Sequence, residues 1–479
     1  MNAAMISITE LYDIYKSCGA VTTDSRALCG GELFFALKGE NFDGNEYALK
    51  ALEAGAAYAV VNHDSAVALS AASGDLPAEI SSRLLPVEDT LRTLQELARW
   101  HRSMTFVDGR PLTVIALTGT NGKTTTKELV REVLSRKYRV TATEGNLNNN
   151  IGVPLTLLKI NAQTQIAVVE MGASHPGDIK ELVDIALPNY GLITNVGKAH
   201  LLGFGSFEGV MATKGELYDY LRRTGDRIFL NVDNPYLCRM ASDRNMHNDP
   251  ERKDSLAIPY GLKYQSGTVL PATAEHPYLR ISLPGMSESY VISTHLIGAY
   301  NADNVIAALA VGQYFGVPFA DAVVAIEEYV PSNNRSQMTR TDRNSLIVDA
   351  YNANPTSMEA ALDNFAAVQA GCKVVMLGNM LELGEDSVSE HEKVIEKIRA
   401  LHPHLACLVG EEFRKALVRA EGCTIPTDSA APFLLSDALL WSPTSDALAQ
   451  WLHDNPLADA TVLIKGSRGT RMEKVIPAL

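Results

Sequence analysis

The sequence predicts an α/β protein of three domains: a small N-terminal α/β domain, a central parallel sheet wound by helices, and a C-terminal domain of doubly wound, Rossmann-like style. Three observations predict it. The chain has 479 residues, enough for about three domains of ~150 each with a core of its own. Apolar, β-branched runs of strand length alternate with helical stretches in two separate series. One of those runs leads directly into a glycine loop and a helix.

The first domain is expected over 1–108. Leu33 to Leu37 and Ala57 to Val61 are short buried-strand runs, and Glu46 to Ala54 is helical in pattern. Ser65 to Ser82 is rich in Ala and Ser, reads as loop or weak helix, and stays unassigned. The turn signal Asp108-Gly109-Arg110-Pro111 opens the second domain, 109–333. Strands follow at Leu112 to Leu117, Gln165 to Val169, Gly191 to Asn195 and Arg227 to Asn231, the rhythm of a parallel sheet. A break at Val330-Pro331-Ser332-Asn333-Asn334 opens the third domain, 334–479, with strands at Leu346 to Asp349, Lys373 to Leu377, Leu405 to Val409 and Thr461 to Ile464. Three such units in a row direct the search for a site to the clefts between them.

Composition narrows the function. With 42 basic against 56 acidic residues the net charge is −14, so no broad cationic face serves nucleic acid or an anionic membrane. Any bound phosphate needs a local pocket. No apolar run is long enough to span a bilayer, and the start of the chain lacks the basic and apolar regions of a signal peptide. The six cysteines include no CxxC pair and no zinc-ligand spacing, which suits reduced thiols in the cytoplasm.

That local pocket is legible after the strand ending at Leu117. Gly119, Thr120, Asn121, Gly122, Lys123, Thr124 and Thr125 form a tight glycine loop leading to a helix predicted from Lys127 to Leu134. Glycines let successive N–H groups and the helix N-terminus face phosphate oxygens, while Lys123 reaches the outer phosphates and Thr124 can ligate Mg²⁺. The spacing departs from GxxxxGK[ST], since Leu117 stands where that pattern has glycine. The central domain is therefore expected to be a P-loop ATPase-type sheet that cradles the phosphates of a nucleotide, with Mg²⁺ beside them. Glu170, at the carboxyl end of an apolar strand, is a candidate Mg²⁺ ligand; strand-end acids also serve as surface charges or caps, and the phosphate loop in the same sheet favours the metal.

GTNGKTTTKE resembles the ATP loop of the Mur ligases, the amide-forming enzymes of peptidoglycan synthesis. The segments GNLNNNIGVP at 145–154 and DAYNANP at 349–355, with FFALKGENFDG, GNMLELGE and KGSRGTRME, extend the resemblance over essentially the whole chain. It implies a ligase that joins D-alanyl-D-alanine to UDP-N-acetylmuramoyl-tripeptide through an acyl phosphate, with the third domain closing on ATP and binding the dipeptide. It also implies roles for particular residues. Lys123, His200 and Lys214 are the expected catalytic set, His200 lying beside a second Mg²⁺ and Lys214 serving as its ligand once carbamylated. By its residues alone, His200 reads as a packed or exposed imidazole and Lys214 as a helix-surface charge.

Asn301 and Asn304, one turn apart, are expected on the adenine side, although Tyr300 stands where many relatives have histidine. A helix cap is the plainer reading of those asparagines. Arg335 is expected at the phosphates and Asp349 at the ribose, where the alternative is a surface ion pair. Asp24, Ser25 and Arg26 with Lys38, Gly39 and Asp43 are expected at the uridine-diphosphate end, in a loop that composition alone would make an ordinary turn. Asn146, Asn148 and Asn149 are expected to face the muramyl-peptide, and Tyr351, Asn352, Asn354 and the stretch Lys465 to Arg468 to line the dipeptide cleft. A monomer is expected. The rival readings are a ligase of the same family that adds the third amino acid, folylpolyglutamate synthase, a P-loop kinase, and a nucleotide switch that makes no bond. The first rival usually carries a DNP-Arg motif in its last domain, whereas here Asp233-Asn234-Pro235 is followed by Tyr236 in the central domain.

Overall fold

The computed structural model describes residues 5–39, 42–72, 77–246, 255–273, 276–285, 289–331, 337–426 and 429–479. Three α/β units follow one another. The first holds a parallel sheet in the order Val21–Thr22, Leu33–Phe35, Tyr58–Asn62, Leu84–Val87. The Ala/Ser-rich stretch contains a helix, His63–Ala72, and a short turn of helix at Ala78–Ser81. The sequence did not reveal the first because alanine and serine along it mark no apolar stripe.

Helix Thr90–Met104, capped by the Asp89 carboxylate on the Arg92 N–H (2.9 Å), joins this unit to the next. Its Leu94 and Leu97 share one core with Ile179 and Leu182 of the second unit. Its buried Arg102 donates to Leu187 O (3.1 Å) and Asn189 Oδ1 (3.0 Å). Shared apolar burial and directed polar bonds thus fix the two units against each other.

The second unit is a six-stranded parallel sheet in the order Ala257–Tyr260, Arg227–Asn231, Tyr190–Ile193, Thr113–Thr118, Ile166–Glu170, Val140–Ala142. Alternation along Thr113–Thr118 sends Val114 and Ala116 to one face and Ile115 and Leu117 to the other, and both faces are covered by helices. The helix after the loop starts at Lys123, four residues before its expected start, because Gly122 takes a left-handed conformation (φ +78°) and turns the chain straight into it. A three-stranded antiparallel sheet, Thr268–Leu270, Arg280–Leu283 and Tyr290–Ser293, was not anticipated. Its strands are short and half exposed, and so lack the apolar runs that betray buried ones.

The third unit is a seven-stranded sheet in the order Gln337–Arg340, Ser345–Asp349, Thr461–Lys465, Lys373–Gly378, Leu405–Val409, Leu439–Ser442, Phe433–Ser436. The inner five strands are parallel and the two outer ones antiparallel. Thr461–Lys465, last in sequence, thus lies between the first and second parallel strands. Among the described residues no helix is long and apolar enough to cross a membrane. The six cysteines form no disulfide.

Candidate active site

The strand Thr113–Thr118 sits where the order of its sheet reverses, so the loop after it opens into a crevice at the carboxyl ends of the strands. A cavity of about 900 Å³ lies there, between the second and third units. Thr120, Asn121, Gly122, Lys123 and Thr125 line it, with Asn148, Asn149, Glu170, His200, Asn301, Asn304, Asp349, Tyr351, Asn352 and Lys465. Residues singled out from more than 300 positions of sequence therefore meet in one space.

The loop is built by close approach. A Cβ at Gly119 would stand 2.0 Å from Thr194 Oγ1, and one at Gly122 would stand 2.6 Å from Asn304 Oδ1. Asn195 Oδ1 accepts the Asn121 N–H (3.0 Å), and Asn195 Nδ2 donates to Asn121 O (3.0 Å). The Lys123 ammonium is curled over its own loop, donating to Gly119 O (2.8 Å) and Thr120 O (3.1 Å).

Beside the loop, the buried Thr124 hydroxyl donates to Glu170 Oε2 (2.9 Å), and Asn148 Nδ2 donates to Glu170 Oε1 (2.8 Å). A hydroxyl and a carboxylate in contact at a phosphate loop form a hard oxygen pair that fits Mg²⁺. Among the described residues no three His, Cys, Asp or Glu side chains cluster as a metal cage.

Lys214 lies in helix Phe207–Thr224 and is buried, not a surface charge. Its Nζ reaches Ala173 O at 3.5 Å and stands 5.4 Å from the centre of the Phe204 ring. Burial, reinforced by the charge of Lys123, holds its ammonium well below the usual lysine range. His200, at the end of the adjoining turn, carries a left-handed backbone (φ +50°) and pairs through Nδ1 with Glu382 of the third unit. Burial lowers its affinity for a proton, Glu382 opposes this, and Lys123 and Lys214 add to the lowering. The three expected catalytic residues thus sense one another's charge.

Asn301 and Asn304 line the cavity, but their amides also support the loop. Thr126 Oγ1 donates to Asn304 Oδ1 (2.9 Å), Asn304 Nδ2 donates to Asn301 Oδ1 (2.8 Å), and Asn301 Nδ2 donates to Ile297 O (2.8 Å). Next to them stand Asp233, Asn234, Pro235 and Tyr236. Their place at the cavity was not anticipated, although an Asn-Pro helix start just after a strand end marks the segment, and Asn234 caps helix Pro235–Ser242. Asp178 and Glu181 also line the cavity and had no local signal.

The third unit contributes Asp349, whose carboxylate pairs with Lys465 Nζ at 2.5 Å, and Lys465 also donates to Asn352 O (3.1 Å). Arg468 stacks over Tyr351, 5.8 Å from its ring centre. Asn354 lies outside the cavity lining and joins the phosphate loop instead: its Nδ2 donates to Asn121 Oδ1 (2.8 Å) and its Oδ1 accepts from Asn121 Nδ2 (3.4 Å). Asn149 lines the cavity and also accepts the Gly152 N–H (2.9 Å), while Asn146 stays in the turn behind, its carbonyl taking the Asn148 N–H (2.8 Å). The group expected at the uridine end is not part of this cavity. Asp24 is spent on Arg26 (2.8 Å), which holds its carboxyl down at about 2, and Lys38 faces Asp43 at 3.8 Å. Ser25 is half-buried and Gly39 exposed beside them. Arg335 lies outside the described residues.

Comparison with known proteins covers the whole chain. Residues 18–102 match the model of the Mur ligase family catalytic domain, 117–312 the Mur ligase middle domain, and 334–468 the Mur ligase glutamate ligase domain. A relative from Bacillus subtilis named UDP-N-acetylmuramoyl-tripeptide--D-alanyl-D-alanine ligase is 32% identical over 96% of this chain and 92% of its own length. One of the same name from Escherichia coli is 32% identical over 99% of each. The crystal structure of MurF from Acinetobacter baumannii superposes with a TM-score of 0.79 at 27% identity, covering 100% of this chain and 99% of that one. With all three units matched in order and the phosphate loop, Glu170 and the third unit gathered about one cavity, the chain belongs to the Mur ligase family.

Proposed function

We propose that this chain joins D-alanyl-D-alanine to UDP-N-acetylmuramoyl-tripeptide at the expense of ATP, giving the UDP-muramyl-pentapeptide of peptidoglycan synthesis. The observation that carries the reading is the likeness, over nearly the full length of each partner, to relatives bearing that activity in their names. The cavity supplies its chemistry. Backbone N–H groups of 119–125 and the start of helix Lys123–Ser135 receive the phosphates, and Lys123 leaves its loop carbonyls to pair with the outer ones. Thr124 and Glu170 hold Mg²⁺, which when bound screens charge on the transferring phosphoryl group.

The tripeptide carboxylate attacks the γ-phosphorus, forming an acyl phosphate and releasing ADP. The amine of D-alanyl-D-alanine then attacks the acyl carbon, and phosphate leaves as the amide forms and a proton is lost. Docking of the third unit against the loop, through Asn354 and Asn121, excludes water from the acyl phosphate. Asp349, Tyr351, Asn352 and Lys465 face the ribose and the dipeptide, and Asn148 and Asn149 the muramyl-peptide. The segments around Asp24 and Lys38 receive the uridine diphosphate, and Arg335 a phosphate. Burial lowers the proton affinity of the Lys214 amine and so favours its attack on carbon dioxide; loss of a proton to solvent then leaves an anionic carbamate that would join His200 at a second Mg²⁺. ATP use with six unbridged cysteines supports a cytoplasmic setting.

The test supplies ATP, Mg²⁺, D-alanyl-D-alanine and UDP-muramyl-tripeptide ending in diaminopimelate or in lysine, and follows phosphate and the new amide by mass. One amide per phosphate is expected. A phosphorylated but unjoined substrate would mean a kinase, and no product of either kind a switch.

A further inference from the structure

The segment GNMLELGE has no part in the chemistry above, yet it supplies the third unit's grip on His200. Glu382 lies in a loop that approaches the turn 197–202 of the second unit. Its carboxylate pairs with His200 Nδ1, and its carbonyl accepts the Leu202 N–H at 3.2 Å. Nearby, Lys198 Nζ meets the largely buried Glu390 at 3.0 Å. Both members of the central pair sit in left-handed backbone, Glu382 at φ +63° and His200 at φ +50°. Non-glycine residues hold that conformation only where their surroundings impose it, and such residues gather at functional sites.

The surroundings here are specific. The fully buried His391 accepts the Met380 N–H on Nε2 (3.0 Å) and donates from Nδ1 to Ser387 O (2.7 Å). Ser467 Oγ accepts the Leu381 N–H (3.1 Å). The loop is therefore pinned on the residues immediately before Glu382, and the carboxylate is delivered to one ring nitrogen of one histidine. That histidine lines the cavity, and its Nε2 makes no hydrogen bond among the described residues.

We propose that Glu382 is a positioning residue for the ligase reaction: by accepting the Nδ1–H of His200 it holds the imidazole in the tautomer whose Nε2 lone pair is free for a divalent cation. A carboxylate on the far nitrogen fixes ring orientation and raises the donor strength of the near one. Because Glu382 belongs to the third unit and His200 to the second, the histidine is correctly set only when the two units are docked. The proposal rests on the reading that His200 faces the cation, and its test separates the two.

The test is ¹⁵N nuclear magnetic resonance of the full chain labelled at histidine, in metal-free buffer, with His200→Gln identifying the signal. Wild type should show a protonated Nδ1 and a bare Nε2 at His200. Glu382→Ala should shift the pair toward the opposite tautomer, and Glu382→Gln should retain part of the wild-type pattern. Glu382→Gly removes the carboxylate with the rest of the side chain but suits the left-handed backbone, so it should behave like Glu382→Ala without added backbone strain. Mn²⁺ titrated by electron paramagnetic resonance should bind about ten-fold more weakly to both truncations. A wild-type pattern in Glu382→Gly, or a bare Nδ1 in the wild type, overturns the proposal. Wild type that keeps the expected tautomer but forms no amide overturns the ligase reading instead.

Discussion

Replacing Gly122 by alanine isolates what the phosphate loop demands of its sequence. Gly122 stands at φ +78°, where an alanine costs about 1 kcal/mol in backbone strain. Its Cβ would also lie 2.6 Å from Oδ1 and 3.0 Å from Nδ2 of Asn304, a buried side chain bonded to Thr126 and Asn301. Asn304 must move, and each buried polar group left without its partner costs roughly 1–3 kcal/mol. With one such group orphaned the total is about 2–4 kcal/mol, which lowers the melting temperature of a unit this size by about 10 °C. Gly225 provides the control, since it has φ +77° with nothing within 4 Å of the Cβ position, and its alanine variant should lose only about 1 kcal/mol. Calorimetry of both variants, with and without ADP, reads the difference, and Gly122→Ala should also lose nucleotide affinity. If it melts with Gly225→Ala and binds ADP like wild type, the close approach of loop and Asn304 is not what the glycine serves.

Lys123→Ala should leave the melting temperature nearly unchanged but reduce phosphate release by at least about 10²-fold, because the hydrogen bonds of the ammonium to Gly119 O and Thr120 O are local to its own loop. Near-normal turnover would remove it from the mechanism. Lys214→Met should abolish ligation yet raise thermal stability by about 0.5–2 kcal/mol in buffer free of carbon dioxide. The sign follows from its lowered proton affinity when folded: the penalty is largest at low pH and fades as pH rises through the folded value toward the ordinary 10.5. The stability gap between variant and wild type should therefore narrow with rising pH, and a constant gap would refute the buried amine as its cause. Asn354→Ala removes the cap of helix Pro355–Ala367 and both bonds to Asn121. About 1 kcal/mol of stability should be lost by denaturant titration, together with a rise in hydrolysis of ATP uncoupled from amide formation.

What could be read from residues alone was what neighbours in sequence determine. Gly119 and Gly122 announce the loop because the turn needs left-handed or close-packed backbone at those places, and Leu112 to Leu117 announces a strand because it is buried on both faces. Glu170 was found by the same logic, an acid at the end of such a strand. Lys214 was not, since a lysine in an amphipathic helix looks alike whether its face meets water or Phe204. The contact of His200 with Glu382 and the exchange between Asn121 and Asn354 join residues 182 and 233 positions apart, and no local pattern encodes them. Resemblance to a family brought Lys214 and His200 into view, but not Glu382. The antiparallel sheet of 268–293 escaped notice because its strands have only three or four residues each.

The place of Thr461–Lys465 in its sheet has a consequence for biosynthesis. Ser345–Asp349 and Lys373–Gly378 are translated more than eighty residues before the strand that separates them, so until it arrives each keeps an open hydrogen-bonding edge. Parallel pairing across so long a stretch of chain is slow to form. Lys465, the partner of Asp349, travels on that late strand. A nascent or clipped molecule can therefore own a finished phosphate loop while its chamber still lacks a wall, and it gains the means to protect a reactive acyl group only at the close of folding.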